Sequence, residues 1–115
     1  MNLLKTLFGG GSTHLDAAGA KARIDAGDAL VILDVRQPEE FQAGHIKGAK
    51  LIPLNELAKR MGELPKDKDI LCVCASGSRS GAATGMLQRA GYTAINMRGG
   101  MGGWMYAGYP VKKGK

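Results

Sequence analysis

One stretch near the middle of the chain limits what it can fold into. The apolar run Ile70-Leu71-Cys72-Val73-Cys74 passes directly into Ala75-Ser76-Gly77-Ser78-Arg79-Ser80-Gly81. Five consecutive apolar, β-compatible residues read as a strand buried on both faces, the kind found inside a parallel sheet. The small residues after it can wrap tightly, and an Ala-rich helical pattern follows through Gly85, Met86, Leu87 and Ala90. Strand, tight loop and helix together place the Cys74 sulfur on the floor of a bowl of backbone N–H groups, above a helix N-terminus. Such a bowl binds anions and stabilises a thiolate, the nucleophilic form of cysteine. The segment predicts a thiolate catalytic site at Cys74.

Helix and strand signals alternate on either side of it. Asp16 is placed to cap a helix running to about Ala26, with Gly27 as its stop. Ala29-Leu30-Val31-Ile32-Leu33 is a second continuous apolar run, ending at Asp34. A short helix is expected around Pro38-Glu39-Glu40-Phe41, since proline suits a first helical position. Lys50-Leu51-Ile52 reads as a brief strand, and Leu54, Leu57, Ala58 and Met61 mark one face of a helix that Pro65 shuts off. Thr93-Ala94-Ile95-Asn96-Met97 is a further strand, and a last helix is expected from about Gly102, with Trp104 and Met97, Met101 and Met105 packing around it. This alternation predicts an α/β fold, a parallel sheet with helices on both faces. Ligands of such sheets bind at the carboxyl ends of the strands. Asp34-Val35-Arg36, Cys74 and Arg98-Gly99-Gly100 all fall there, so three distant segments are expected to meet on one edge.

The 115 residues suffice for a single domain with its own core. Residues 1–12 read as a flexible N-terminal tail, 13–111 as the domain and 112–115 as a basic C-terminal tail. Within the first, Leu3, Leu4, Leu7 and Phe8 share a helical face, but Lys5 interrupts a stretch too short for a signal core or a membrane span. Two cysteines two residues apart are no disulfide framework, and so few suit a reducing compartment; the expected location is cytoplasmic. The formal charge of +6 is scattered along the chain and aromatic residues are sparse, which argues against nucleic acid and for a modest field drawing small anions.

Four stretches, taken in order, resemble the rhodanese family. They are Leu33-Asp34-Val35-Arg36 with Glu40-Phe41; Gly44-His45-Ile46-Lys47-Gly48-Ala49 through Ile52-Pro53-Leu54; Cys74 with its loop; and Asn96-Met97-Arg98-Gly99-Gly100 with Trp104 and Ala107-Gly108-Tyr109-Pro110-Val111. The resemblance implies a single rhodanese-like domain with a five-stranded parallel sheet. It also implies a thiosulfate sulfurtransferase working through a cysteine persulfide. The chain departs from the pattern at Lys47, where proline is common, and at Cys72, where an aliphatic or aromatic residue is usual.

Sulfane sulfur transfer needs a cysteine ionised near neutral pH, which an unassisted thiol is not. Amides of Ala75, Ser76, Gly77, Ser78, Arg79 and Ser80 would supply positive potential and hold the outer sulfur. Gly77 tolerates a positive φ. Arg79 follows Cys74 by five residues, whereas phosphatases and arsenate reductases place the arginine at six to clamp a tetrahedral oxyanion. The tighter ring suits one extra sulfur, with a non-catalytic carrier or regulatory module as the alternative. Arg79 either orients an anionic substrate or ties the loop to Asp34 or another carboxylate. Ser78 and Ser80 either donate to a persulfide or cap the helix. Asp34 and Arg36 are expected to brace the strand end, because a carboxylate beside a thiolate would oppose its ionisation. His45 is expected to make a structural hydrogen bond, and Cys72 to be a buried structural residue. His14, Cys72 and Cys74 have no metal-ligand spacing, so neither metal nor cofactor is expected. The expected partners are a small anionic sulfur donor and a thiol, cyanide or thioredoxin-like acceptor.

Overall fold

Alternation along one strand separates the two halves of the core. In the computed structural model, which describes residues 13–115, Ile70, Cys72 and Cys74 belong to one apolar cluster, and Leu71 and Val73 to another. Successive side chains of a strand point to opposite faces, so a run without polar residues is buried on both sides.

The elements in chain order are β1 (His14–Leu15), α1 (Ala17–Asp25), β2 (Leu30–Asp34), α2 (Pro38–Ala43), β3 (Lys50–Leu51) and α3 (Leu54–Arg60). A 3-10 turn, Met61–Glu63, leads into β4 (Asp69–Val73), α4 (Ser78–Arg89), β5 (Thr93–Met97) and α5 (Gly100–Tyr106). All five strands are parallel, in the order β1-β5-β4-β2-β3. The Cys74 strand, β4, is central, paired along its full length with β2 from Leu30↔Asp69 to Asp34↔Val73. Leu57 of α3 and Ala83 and Leu87 of α4 join the cluster on one face. Ala17 and Ala20 of α1 and Met101 and Trp104 of α5 join the cluster on the other. Helices therefore cover both faces of a single α/β domain, as the alternating signals predict.

Local chemistry sets the boundaries. Asp16 caps α1 by accepting a 2.8 Å bond from the Gly19 amide, and Gly27 ends it with φ 75°. Pro38 opens α2, where Glu40 accepts from the Gln37 amide at 2.9 Å.

Four features depart from expectation. The edge strand β1 is only two residues long, too short for a periodic signal, and pairs with Asn96 and Met97. Helix α5 starts at Gly100 rather than near Gly102, with left-handed backbone at Gly99 (φ 85°), just before it, and at Gly100 itself (φ 57°). Met105 is half exposed rather than packed. Beyond Val111 the chain is fastened: Lys112 exchanges 2.8 and 2.9 Å backbone bonds with His45, and the Gly114 amide donates to Gln42 O at 2.8 Å. The N-terminal tail and its helical face lie outside the described residues. Among the described residues, no helix is long and apolar enough to cross a membrane.

Candidate active site

Cys74 follows the last residue of the central strand, in the middle of the sheet's carboxyl edge. Its side chain has no exposed surface, although Ser76 and Ser78 in the following loop are exposed. Gly77 turns the loop with φ 102°, a conformation that other residues rarely adopt. That turn lets the Gly77 amide donate to Cys74 Sγ at 3.0 Å. The amides of Ser76 and Ser80 bond to the same sulfur, and the Ser80 hydroxyl oxygen stands 3.3 Å from it. Burial pushes the thiol pKa up, but the hydrogen bonds that Ser80, Gly77 and Ser76 direct at the sulfur outweigh burial and hold it below the ordinary cysteine value.

The loop is held from behind by α5. The Met101 amide donates to Cys74 O at 2.8 Å and the Gly102 amide to Ala75 O at 3.0 Å. In a planar trans peptide the C=O and N–H point opposite ways. Tying Ala75 O to α5 therefore turns the Ser76 N–H the other way, toward the sulfur. This close approach needs a residue without a side chain: a Cβ on Gly100 would stand 2.5 Å from Cys74 O and 2.6 Å from Ala75 O. The Gly99-Gly100 pair thus meets the Cys74 loop, as its place at the end of β5 predicts.

Arg79 is committed to a carboxylate. Its Nη1 and Nη2 donate to the two oxygens of Glu40 at 2.8 and 2.9 Å, with about a third of each side chain exposed. The Arg79 guanidinium, against a smaller opposing effect of burial, holds the Glu40 carboxyl down at about 2, helped by the Gln37 amide. Of the two roles weighed for Arg79, the tie to a nearby carboxylate is the one formed. Its partner, Glu40, was not among the site candidates. The available signal was its place in the first turn after β2, at the same sheet edge.

Asp34 and Arg36 form a buried brace beside β4. Arg36 Nε and Nη2 reach Asp34 Oδ1 and Oδ2 at 2.9 and 2.8 Å, and Nη2 also donates to Gly44 O at 2.8 Å. His45 extends the brace: its Nδ1 lies 2.8 Å from Phe41 O and its ring stacks on Phe41 at 3.7 Å. The hydrogen bonds of His45 run to Phe41 and Lys112, away from the thiol. Ser78 is exposed, and α4 starts from Gly77 without a side-chain cap. Ser80 is buried and its hydroxyl donates to Asn96 Oδ1 at 2.6 Å. Asn96, at the end of β5, is a second residue that the site candidates omitted. Cys72 lies one step deeper, fully buried, with its pKa pushed up to about 12 by burial. Among the described residues, no three His, Cys, Asp or Glu side chains gather to hold a metal ion.

A sulfur ringed by amides at the carboxyl edge of this sheet defines a class, and comparison with known proteins supplies its family. The chain belongs to the rhodanese family: the Rhodanese-like domain profile matches residues 16–107. A sulfurtransferase of Allochromatium vinosum is 34% identical over 99 residues, spanning 85% of this chain and 92% of that protein. The crystal structure of a rhodanese-related protein from Thermoplasma volcanium is similar at a TM-score of 0.81 and 35% identity, over 86% of this chain and 96% of that one. A thiosulfate sulfurtransferase from Pseudomonas aeruginosa matches at TM-score 0.81 and 34% identity, over 89% of this chain but 20% of that larger one. Sulfur transfer in general is the activity this kinship supports.

Proposed function

We propose that the protein moves sulfane sulfur from an anionic donor such as thiosulfate to a thiophilic acceptor, through a persulfide on Cys74. The observation that carries this reading is the convergence of the Ser76, Gly77 and Ser80 amides on one sulfur whose ionisation they favour. The thiolate attacks the outer sulfur of the donor, the donor's S–S bond breaks, and sulfite leaves with the bonding electron pair. The new Cys74–S–S⁻ group keeps the negative charge among the same amides. A nucleophilic acceptor (cyanide, a small thiol or a thioredoxin-like dithiol) then takes the outer sulfur and returns the thiolate. Sulfite leaves in the first step and the amide-stabilised Cys74 thiolate in the second, both good leaving groups, so neither step needs a strong acid. A reducing compartment such as the cytoplasm suits the two free cysteines, both of which are buried.

Incubation with thiosulfate is expected to add the mass of one sulfur to the intact protein, read by mass spectrometry, and nothing to Cys74→Ser. Retention of sulfurtransferase activity by the serine variant would overturn the assignment. Uptake of sulfur that neither cyanide nor thiols discharge would identify a carrier instead.

A further inference from the structure

The Ser80 hydroxyl has one proton and two acceptors. Cys74 Sγ lies 3.3 Å from its oxygen and Asn96 Oδ1 lies 2.6 Å away. Asn96 cannot be turned end for end, because its other amide atom faces Gly77 O at 3.2 Å. Only the NH₂ group satisfies a carbonyl there, so Asn96 must present its oxygen to Ser80. Two oxygens 2.6 Å apart require a proton between them, and a side-chain amide oxygen has none to give. The Ser80 proton therefore lies on the Asn96 side, and a lone pair of Ser80 Oγ faces the sulfur. The neutral thiol suits this arrangement, since its S–H can donate to that lone pair.

We infer that Asn96 is a positioning residue for Cys74: by claiming the Ser80 proton, it withholds a hydrogen-bond donor from the ionised sulfur. The amides of Ser76, Gly77 and Ser80 then carry the stabilisation of the thiolate alone, and the hydroxyl is a donor in reserve. The other groups facing this edge keep their own partners: Arg79 holds Glu40, Arg36 holds Asp34, and Cys72 lies buried one step deeper. Asn96 is itself buried, so its side chain is held in place within the domain. The inference concerns the site proposed above, yet its test reads the thiol and not sulfur transfer, so the two can fail separately.

The experiment is a double-mutant cycle read by iodoacetamide alkylation of Cys74, followed by peptide mass spectrometry across pH 5–9. Asn96→Leu keeps the shape of the side chain without its acceptor. It frees the Ser80 hydroxyl to turn to the sulfur and is expected to speed alkylation below the thiol's midpoint by roughly five- to tenfold. That range is the difference between a neutral and a charge-assisted hydrogen bond. In a Ser80→Ala background the same substitution should change the rate less than about twofold, because the group it redirects is gone. An unchanged or slower rate in Asn96→Leu, or equal acceleration with and without Ser80, overturns the inference. The second of those results would assign the effect to the lost Gly77 contact. Asn96→Ala repeats the cycle if the leucine variant does not fold.

Discussion

Cys72 and Cys74 are two residues apart on one strand edge, face the same apolar cluster and have no exposed surface, yet their sulfurs behave in opposite ways. Burial pushes the Cys72 thiol up to about 12. At Cys74 burial acts in the same direction, but the hydrogen bonds gathered by the loop prevail and the thiol falls below its ordinary value. Two residues along the chain separate a position inside the ladder from a position past its end. Within the ladder the amides are spent on neighbouring strands. Past it they are free to turn toward a side chain. The opposite directions of the two thiols come from where the hydrogen bonding of the sheet stops, not from the residue type.

The sharpest way to break this contrast is to alkylate both thiols at pH 8. With one midpoint near 12 and the other below 9, the thiolate fractions differ by more than about a thousandfold. Cys74 should react at least that much faster in the folded protein, and the two should converge within about twofold in denaturant. Comparable native rates would refute the difference.

Next in size is Gly100→Ala. Its methyl group would press on Cys74 O and Ala75 O from a left-handed backbone, at an expected cost of about 3 kcal/mol in denaturant unfolding. The displaced loop should also shrink the alkylation ratio by more than tenfold. A variant with native stability and native ratio would show that α5 does not aim the amides.

A smaller effect is expected from Cys72→Ala, which should cost about 1 kcal/mol and leave sulfur transfer within about twofold of the parent. The sign of its pH dependence follows from the raised native pKa. Above about pH 9 the unfolded thiol ionises while the native one does not, so native stability falls as pH rises toward 12. The alanine variant should lose that part of the alkaline decline, as followed by urea titration at pH 8 and pH 10.5.

The mildest test is Glu40→Gln, which releases Arg79. The pair is about a third exposed, so the stability loss should stay within about 1 kcal/mol. Because the native Glu40 carboxyl is held down at about 2, the pair's contribution to stability is complete above about pH 4.5 and is lost as pH falls toward 2. An unpaired Arg79 should lower KM for an anionic donor by about two- to threefold at pH 7. A raised KM would mean that Glu40 aligns the loop.

What the sequence made legible was set by range. Two-sided apolar runs such as Leu30–Leu33 and Ile70–Cys74 identify central strands by themselves, and their polar ends converge because parallel strands end on one edge. The Cys74 loop could be read because its chemistry is local. Glu40 and Asn96 could not, since each works through a partner 39 or 16 residues distant that no periodicity announces. His14–Leu15 escaped because two residues form no pattern, and their strand exists only through pairing with β5.

The two bonds from the start of α5 to Cys74 O and Ala75 O carry one more consequence. A turn riveted to the core has no loosening step of its own. On heating, the Cys74 sulfur should hold its properties until the domain melts, and loss of those properties and unfolding should trace a single curve.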